Sequence, residues 1–154
     1  MHHINRDVSP NAGNVLEPRH IEIYHNLDSR FAPYEPRHTV TEVISTWRWL
    51  PAAVTPEQIA EWAFYVFNGE LTQLGVTRAL HGGEEDFLIA AIYRLLRRRS
   101  MSTGDVIAVT TRSSTTWLAC EPGGWRRIAT PTRRTGEPLS PDTIHQLLWG
   151  HSDA

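Results

Sequence analysis

The chain has 154 residues, of which 40% are hydrophobic and 21% charged, and its formal net charge is −2. That is the composition of a folded domain, and the length suits one core rather than two. The near-neutral balance offers no global field for nucleic acid or acidic membrane. No apolar run reaches the roughly 18 residues of a membrane span. A single cysteine, Cys120, excludes an internal disulfide and a multi-cysteine zinc site.

All 15 basic residues are arginine. Codon bias of a GC-rich genome accounts for this more readily than selection, site by site, for bidentate contacts to phosphate or carboxylate. The first residues, Met1 to Asp7, lack the apolar stretch of a secretory signal, so a cytoplasmic protein is expected. Residues 1–19 read as a flexible tail, and order is expected from His20. From His20 to Leu27 the residues alternate, with Ile21, Ile23, His25 and Leu27 on one face of a half-buried strand. A proline-containing loop follows. Thr39 to Trp49, rich in β-branched and aromatic residues, reads as a second strand, with Trp47 and Trp49 on one face.

Thr55-Pro56-Glu57-Gln58 is a helix start with a capping box, and Ile59, Trp62, Ala63, Val66 and Phe67 repeat at helical spacing. That helix is expected to end near Asn68-Gly69. Residues 70–83 read mostly as loop. Glu84, Glu85 and Asp86 suit a second helix N-terminus, with Leu88, Ala91, Ile92, Leu95 and Leu96 as its buried stripe and Arg97, Arg98 and Arg99 at its C-terminal end. Three short strands follow, Asp105 to Thr111, Thr115 to Cys120 and Trp125 to Ile128, close enough for an antiparallel meander. Residues 129–139 read as a linker, and 140–150 as a short amphipathic helix bearing Ile144, Leu147, Leu148 and Trp149. The expected architecture is a single α+β domain over residues 20–128, with a small antiparallel sheet, two packed helices and the C-terminal helix.

The segment from Tyr93 to Ile107, with Arg97-Arg98-Arg99-Ser100-Met101-Ser102-Thr103-Gly104-Asp105-Val106 at its centre, resembles a hallmark of small uncharacterised proteins from actinobacterial genomes, their phages and mobile elements, also found in YodL-like domains. Trp117 to Trp125, with its Cys120 and Gly124-Trp125, is similar to the tail of that hallmark, as are Asn26-Leu27-Asp28 and the helix ending in Val66-Phe67-Asn68. Met101 and Thr103 stand where the hallmark has Leu and Val. The resemblance implies a context, an accessory protein of a mobile element, and no activity.

Five groups of residues merit weighing. Gly104-Asp105 before a strand is first a turn device, and only remotely an acid, base or metal ligand. Arg94, Arg97, Arg98 and Arg99, with Arg126, Arg127, Trp117 and Trp125, could form a nucleic-acid surface if folding gathers them; the alternative is a solvated helix end. Cys120 reads as a small buried hydrophobe rather than a catalytic thiol. The histidines lack zinc spacing, and His25 reads as a hydrogen-bonded core residue. Trp149, Leu147, Leu148 and Ile144 could dock a partner. The leading function is therefore a non-enzymatic accessory protein that binds a host or element-encoded protein. A nucleic-acid module is the alternative, and a small enzyme using Cys120 or Asp105 ranks last. No cofactor or metal is expected, and a second copy of the chain is a further candidate partner.

Overall fold

The computed structural model describes residues 14–69, 71–76, 82–96 and 99–137. Strand β1 (Leu16–Asn26) is central and pairs antiparallel with β2 (Val40–Pro51) on one side and β3 (Val106–Thr110) on the other. The meander β3, β4 (Thr115–Glu121) and β5 (Gly124–Ile128) is antiparallel, as expected. Two differences stand out. The segment read as tail contributes Leu16 to Arg19 to β1, opposite Arg48 to Pro51. The segment read as linker contributes β6 (Arg134–Thr135), which pairs parallel with Val40 and Thr41. The sheet is therefore six-stranded and mixed, in the order β5-β4-β3-β1-β2-β6, rather than small and wholly antiparallel.

Its curl follows from chain length. Laid flat, five strand spacings would separate β5 from β6 by about 24 Å. Residues 129–133 join them, a reach of at most about 20 Å from Ile128 to Arg134. The sheet bends into a half-barrel, and the Arg134 guanidinium lies 5.1 Å from the Trp117 ring on β4.

Helix α1 (Pro56–Asn68) starts at the Thr55 capping box, where Thr55 Oγ1 accepts from Gln58 N and Gln58 Oε1 from Thr55 N. The short helix α2 (Leu71–Val76) lies where mostly loop was expected. Helix α3 (Gly83–Leu95) begins at Gly82, whose φ of 79° is left-handed. Helices as short as α1 and α3 need tertiary burial. Ile59, Ala63, Val66 and Phe67 of α1 and Ala90 and Tyr93 of α3 pack on Ile21, Ile23, Ile44, Ile107 and Leu118 of the sheet. The buried stripe of α3 is Ile89, Ala90 and Tyr93, not the expected Leu88 and Leu95, which are 49% and 65% exposed. The rotation has a cause: Asp86 is drawn inward to Arg48 and Trp62, which turns Leu88 and Leu95 outward.

The opposite sheet face has its own apolar cluster of Tyr24, Val40, Val106, Ala108, Trp117 and Ala119, covered by Tyr34 from the β1–β2 loop. Strand β1 is thus buried on both faces over its second half, where one solvated face was expected. No helix among the described residues is long and apolar enough to cross a membrane. The expected C-terminal helix, 140–150, lies outside the described residues.

Candidate functional site

Asp105 is wholly buried at the entry to β3. Its carboxylate accepts from the backbone amides of Asn26 and Ser102, both at 2.9 Å, and from both terminal nitrogens of Arg99 at 2.7 and 2.8 Å. Asn26 extends the network: its side-chain oxygen accepts from Asp28 N and Ser29 N, and its amide nitrogen donates to Gly104 O and bonds His38 Nδ1. Gly104 has φ 98°, and a Cβ there would sit 2.5 Å from the Ala32 carbonyl oxygen. Both residues of the Gly-Asp pair therefore serve to lock the β1–β2 loop to the start of β3. A carboxylate with four donors and no exposure has no free lone pair for acid–base work.

Among the described residues, the basic and aromatic side chains expected to form a nucleic-acid surface do not share one face. Arg97 and Arg98 lie outside the described residues. Arg99 is held by Asp105, and Arg94 donates to the Gly69 carbonyl. Arg126 bonds Glu121 and the Tyr34 carbonyl, and Arg127 makes a two-pronged pair with Glu57. Trp117 is buried in the cluster away from the helices, whereas Trp125 packs against the helix-side core and Phe64. Neighbouring residues on a strand point to opposite faces, so Trp117 and Trp125, and likewise Arg126 and Arg127, are split by the sheet.

Cys120 is buried, and burial, reinforced by Asp105, pushes its thiol up to about 11. That is the opposite of an activated nucleophile. His25 is a core histidine: its Nε2 lies 2.7 Å from the Tyr93 hydroxyl. That hydroxyl donates to the Arg99 carbonyl at 2.6 Å, so Nε2 carries the proton of the His25 bond. No group of three or more metal-ligating side chains occurs among the described residues. Ile144, Leu147, Leu148 and Trp149 lie outside the described residues.

Two features were not anticipated. The first is a carboxylate pair on the face away from the helices. Tyr24 Oη lies 3.3 Å from Glu22 and 3.2 Å from Glu42, and the second Glu42 oxygen is buried with no hydrogen-bond partner. Burial first, and then Glu22, push Glu42 up to about 8. A bulge in the β1–β2 ladder at Ile23/Tyr24 places Glu42 there, a shift that alternation alone does not reveal.

The second is an exposed aromatic face. Trp47 and Trp49, expected on one face of the strand, share it and are each 62% exposed. They stand opposite His20 and Pro18 of β1, and Leu16 lies exposed at the same end. His20 stacks on Trp47 with ring centroids 4.6 Å apart. Strand β3 pairs with β1 only from His20 to Tyr24, so the β1–β2 ribbon projects past the sheet beyond His20, at Pro18 and Trp49, and nothing on that face covers Trp47 or Trp49 among the described residues.

No protein-family model, curated protein or solved structure matches this chain.

Proposed function

We propose that this chain is a non-enzymatic accessory protein of a phage or mobile element that acts by binding another protein, with the Trp47–Trp49 face as the contact. The observation that carries the reading is two tryptophans on one face of the β1–β2 ribbon, both more than half exposed. Aromatic rings grouped in the open are the commonest anchors of protein interfaces. The mobile-element context rests on the resemblance of residues 93–107, and a cytoplasmic setting belongs to the same reading.

The enzymatic alternatives are weakened by the burial of Cys120 and the saturation of Asp105. The nucleic-acid alternative keeps one favourable feature, since the same rings could stack on bases. Its cations are otherwise engaged, at Arg99, Arg126 and Arg127.

The test compares capture from an actinobacterial lysate by the chain and by its Trp47→Ser/Trp49→Ser variant. Proteins retained by the first and lost by the second support the reading. An identical set of captured proteins would overturn it, and salt-dependent binding of single-stranded nucleic acid would replace it.

A further inference from the structure

The carboxylate pair of Glu22 and Glu42 and the strap that ends in β6 meet at one place. Tyr24 Oη lies 3.3 Å from Glu22 Oε2 and 3.2 Å from Glu42 Oε1. A phenol has one proton to donate, so at most one of the two carboxyls receives it. The other Glu42 oxygen is buried with no hydrogen-bond partner among the described residues, which marks a missing donor. Glu22 faces Glu42 as a hydrogen-bonding neighbour. Two carboxyl groups bond each other only when one of them holds a proton. A single proton on the pair supplies the donor that the site lacks.

The strap closes over this pair. Val40 N donates to the Arg133 carbonyl at 2.9 Å, and Arg134 and Thr135 pair with Val40 and Thr41. Gly136, at φ 88°, lies so close to β2 that a Cβ would sit 2.7 Å from the Glu42 carbonyl oxygen and 2.9 Å from its nitrogen. The charged and titratable groups that face Glu42 are Glu22 and Tyr24 of β1 and Arg134 of β6. With one proton on the pair, one negative charge faces the positive charge of Arg134. Without it, two carboxylates face one guanidinium in a part-buried site.

We infer that the proton on the Glu22–Glu42 pair is a latch, and that its loss opens the β6 strap while the helix-side core stays folded. Opening lets water reach the second carboxylate and relieves its repulsion from Glu22. The direction follows from linkage between proton binding and closure. With the strap closed, burial and then Glu22 push Glu42 up to about 8. With it open, Glu42 returns to the ordinary glutamate range, so the latch is fully engaged below about pH 4.3 and weakens as pH rises toward the closed value. Opening removes the acceptor of the Val40 amide and takes Arg134 off the Trp117 ring, at the margin of the second apolar cluster. The latch makes no use of Trp47 or Trp49, so it is independent of the function proposed above.

Hydrogen exchange on the whole chain tests it, at about pH 5 and about pH 8, with each amide corrected for its intrinsic rate. The Val40 amide is expected to lose about tenfold or more of its protection between the two. Its exchange should not respond to urea below the unfolding transition, the mark of a local opening, whereas the Ile107 and Leu118 amides should be better protected and urea-sensitive. In Glu42→Gln, Val40 should be equally protected at both pH values. Carboxyl carbon-13 resonances give a second reading: Glu42 should show an alkaline step that the Glu22 carboxyl also registers. Equal protection of Val40 at the two pH values in the parent overturns the proposal. So does Val40 exchange with the urea dependence of Ile107, or a Glu42 carboxyl that titrates wholly below about pH 5. All three are read from the unmodified chain, so they stand even where the variant fails to fold.

Discussion

Arg99 and Asp105 form a two-pronged ion pair across the turn that separates α3 from β3, with the acid fully buried and the guanidinium partly open to solvent. Asp105 beside it raises the guanidinium's pKa further, so the cation persists at any relevant pH. Since the same carboxylate also binds the amides of Asn26 and Ser102, one side chain ties the end of β1 to the connection that leads into β3.

Replacing Asp105 with Ala is expected to strand Arg99 and two buried amides, at a cost of about 3–5 kcal/mol. Gly104→Ala adds a clash with the Ala32 carbonyl and a strained φ, and should also cost several kcal/mol. Urea denaturation measures both. An Asp105→Ala variant as stable as the parent would show that the network does not hold the fold.

Stability should fall as pH rises through neutrality. Glu42 titrates near 8 in the folded chain, well above an unfolded glutamate, so the folded state favours its protonated form. The contribution is fully present below about pH 4.3 and declines as pH rises toward the folded value. Arg134, Tyr24 and Glu22 are the polar groups facing it. Glu42→Gln, which mimics the neutral acid, should flatten the pH dependence of the melting temperature between about pH 5 and 9 and raise stability at the alkaline end. Parallel curves for the two proteins would refute this.

The tryptophans should divide into two classes. Trp117→Ala, in the buried cluster, is expected to cost about 3–5 kcal/mol. Trp47→Ala and Trp49→Ala, at exposed positions, should each cost less than about 1 kcal/mol while weakening partner binding. Melting curves and capture assays on the three variants separate the roles.

Cys120 should resist alkylation. With its thiol pushed up to about 11 and buried, reaction with iodoacetamide at about pH 8 is expected only at the rate of unfolding. Labelling as fast in buffer as in denaturant would place the thiol in the open.

Much of this architecture was legible in the sequence, and the failures share a physical origin. The Thr55 capping box, the run of α1 and the meander after Asp105 depend on local signals, and all are present as read. The place of His25 on an apolar face points to a bonded core histidine, and its bond to Tyr93 agrees. What local patterns could not reveal depends on residues far apart. Asp86 turns α3 through its bonds to Arg48 and Trp62, and neither partner is near it in sequence. Trp47 and Trp49 stay exposed because the apolar cluster under Tyr34 covers only the other end of that sheet face. The carboxylate pair requires a bulge that periodicity averages away. The arginines looked like one cluster because sequence neighbours were counted together, whereas the sheet sends Arg126 and Arg127 to opposite faces.

The connection between β5 and β6 carries an evolutionary consequence. Surface loops ordinarily drift in length in both directions. Here the two directions are unequal. Extra residues between Ile128 and Arg134 would add only a slowly growing entropic penalty. Losing even two would pull Arg134 away from Val40 and unlatch the curled sheet, so the lineage of this chain can lengthen that strap and cannot readily shorten it.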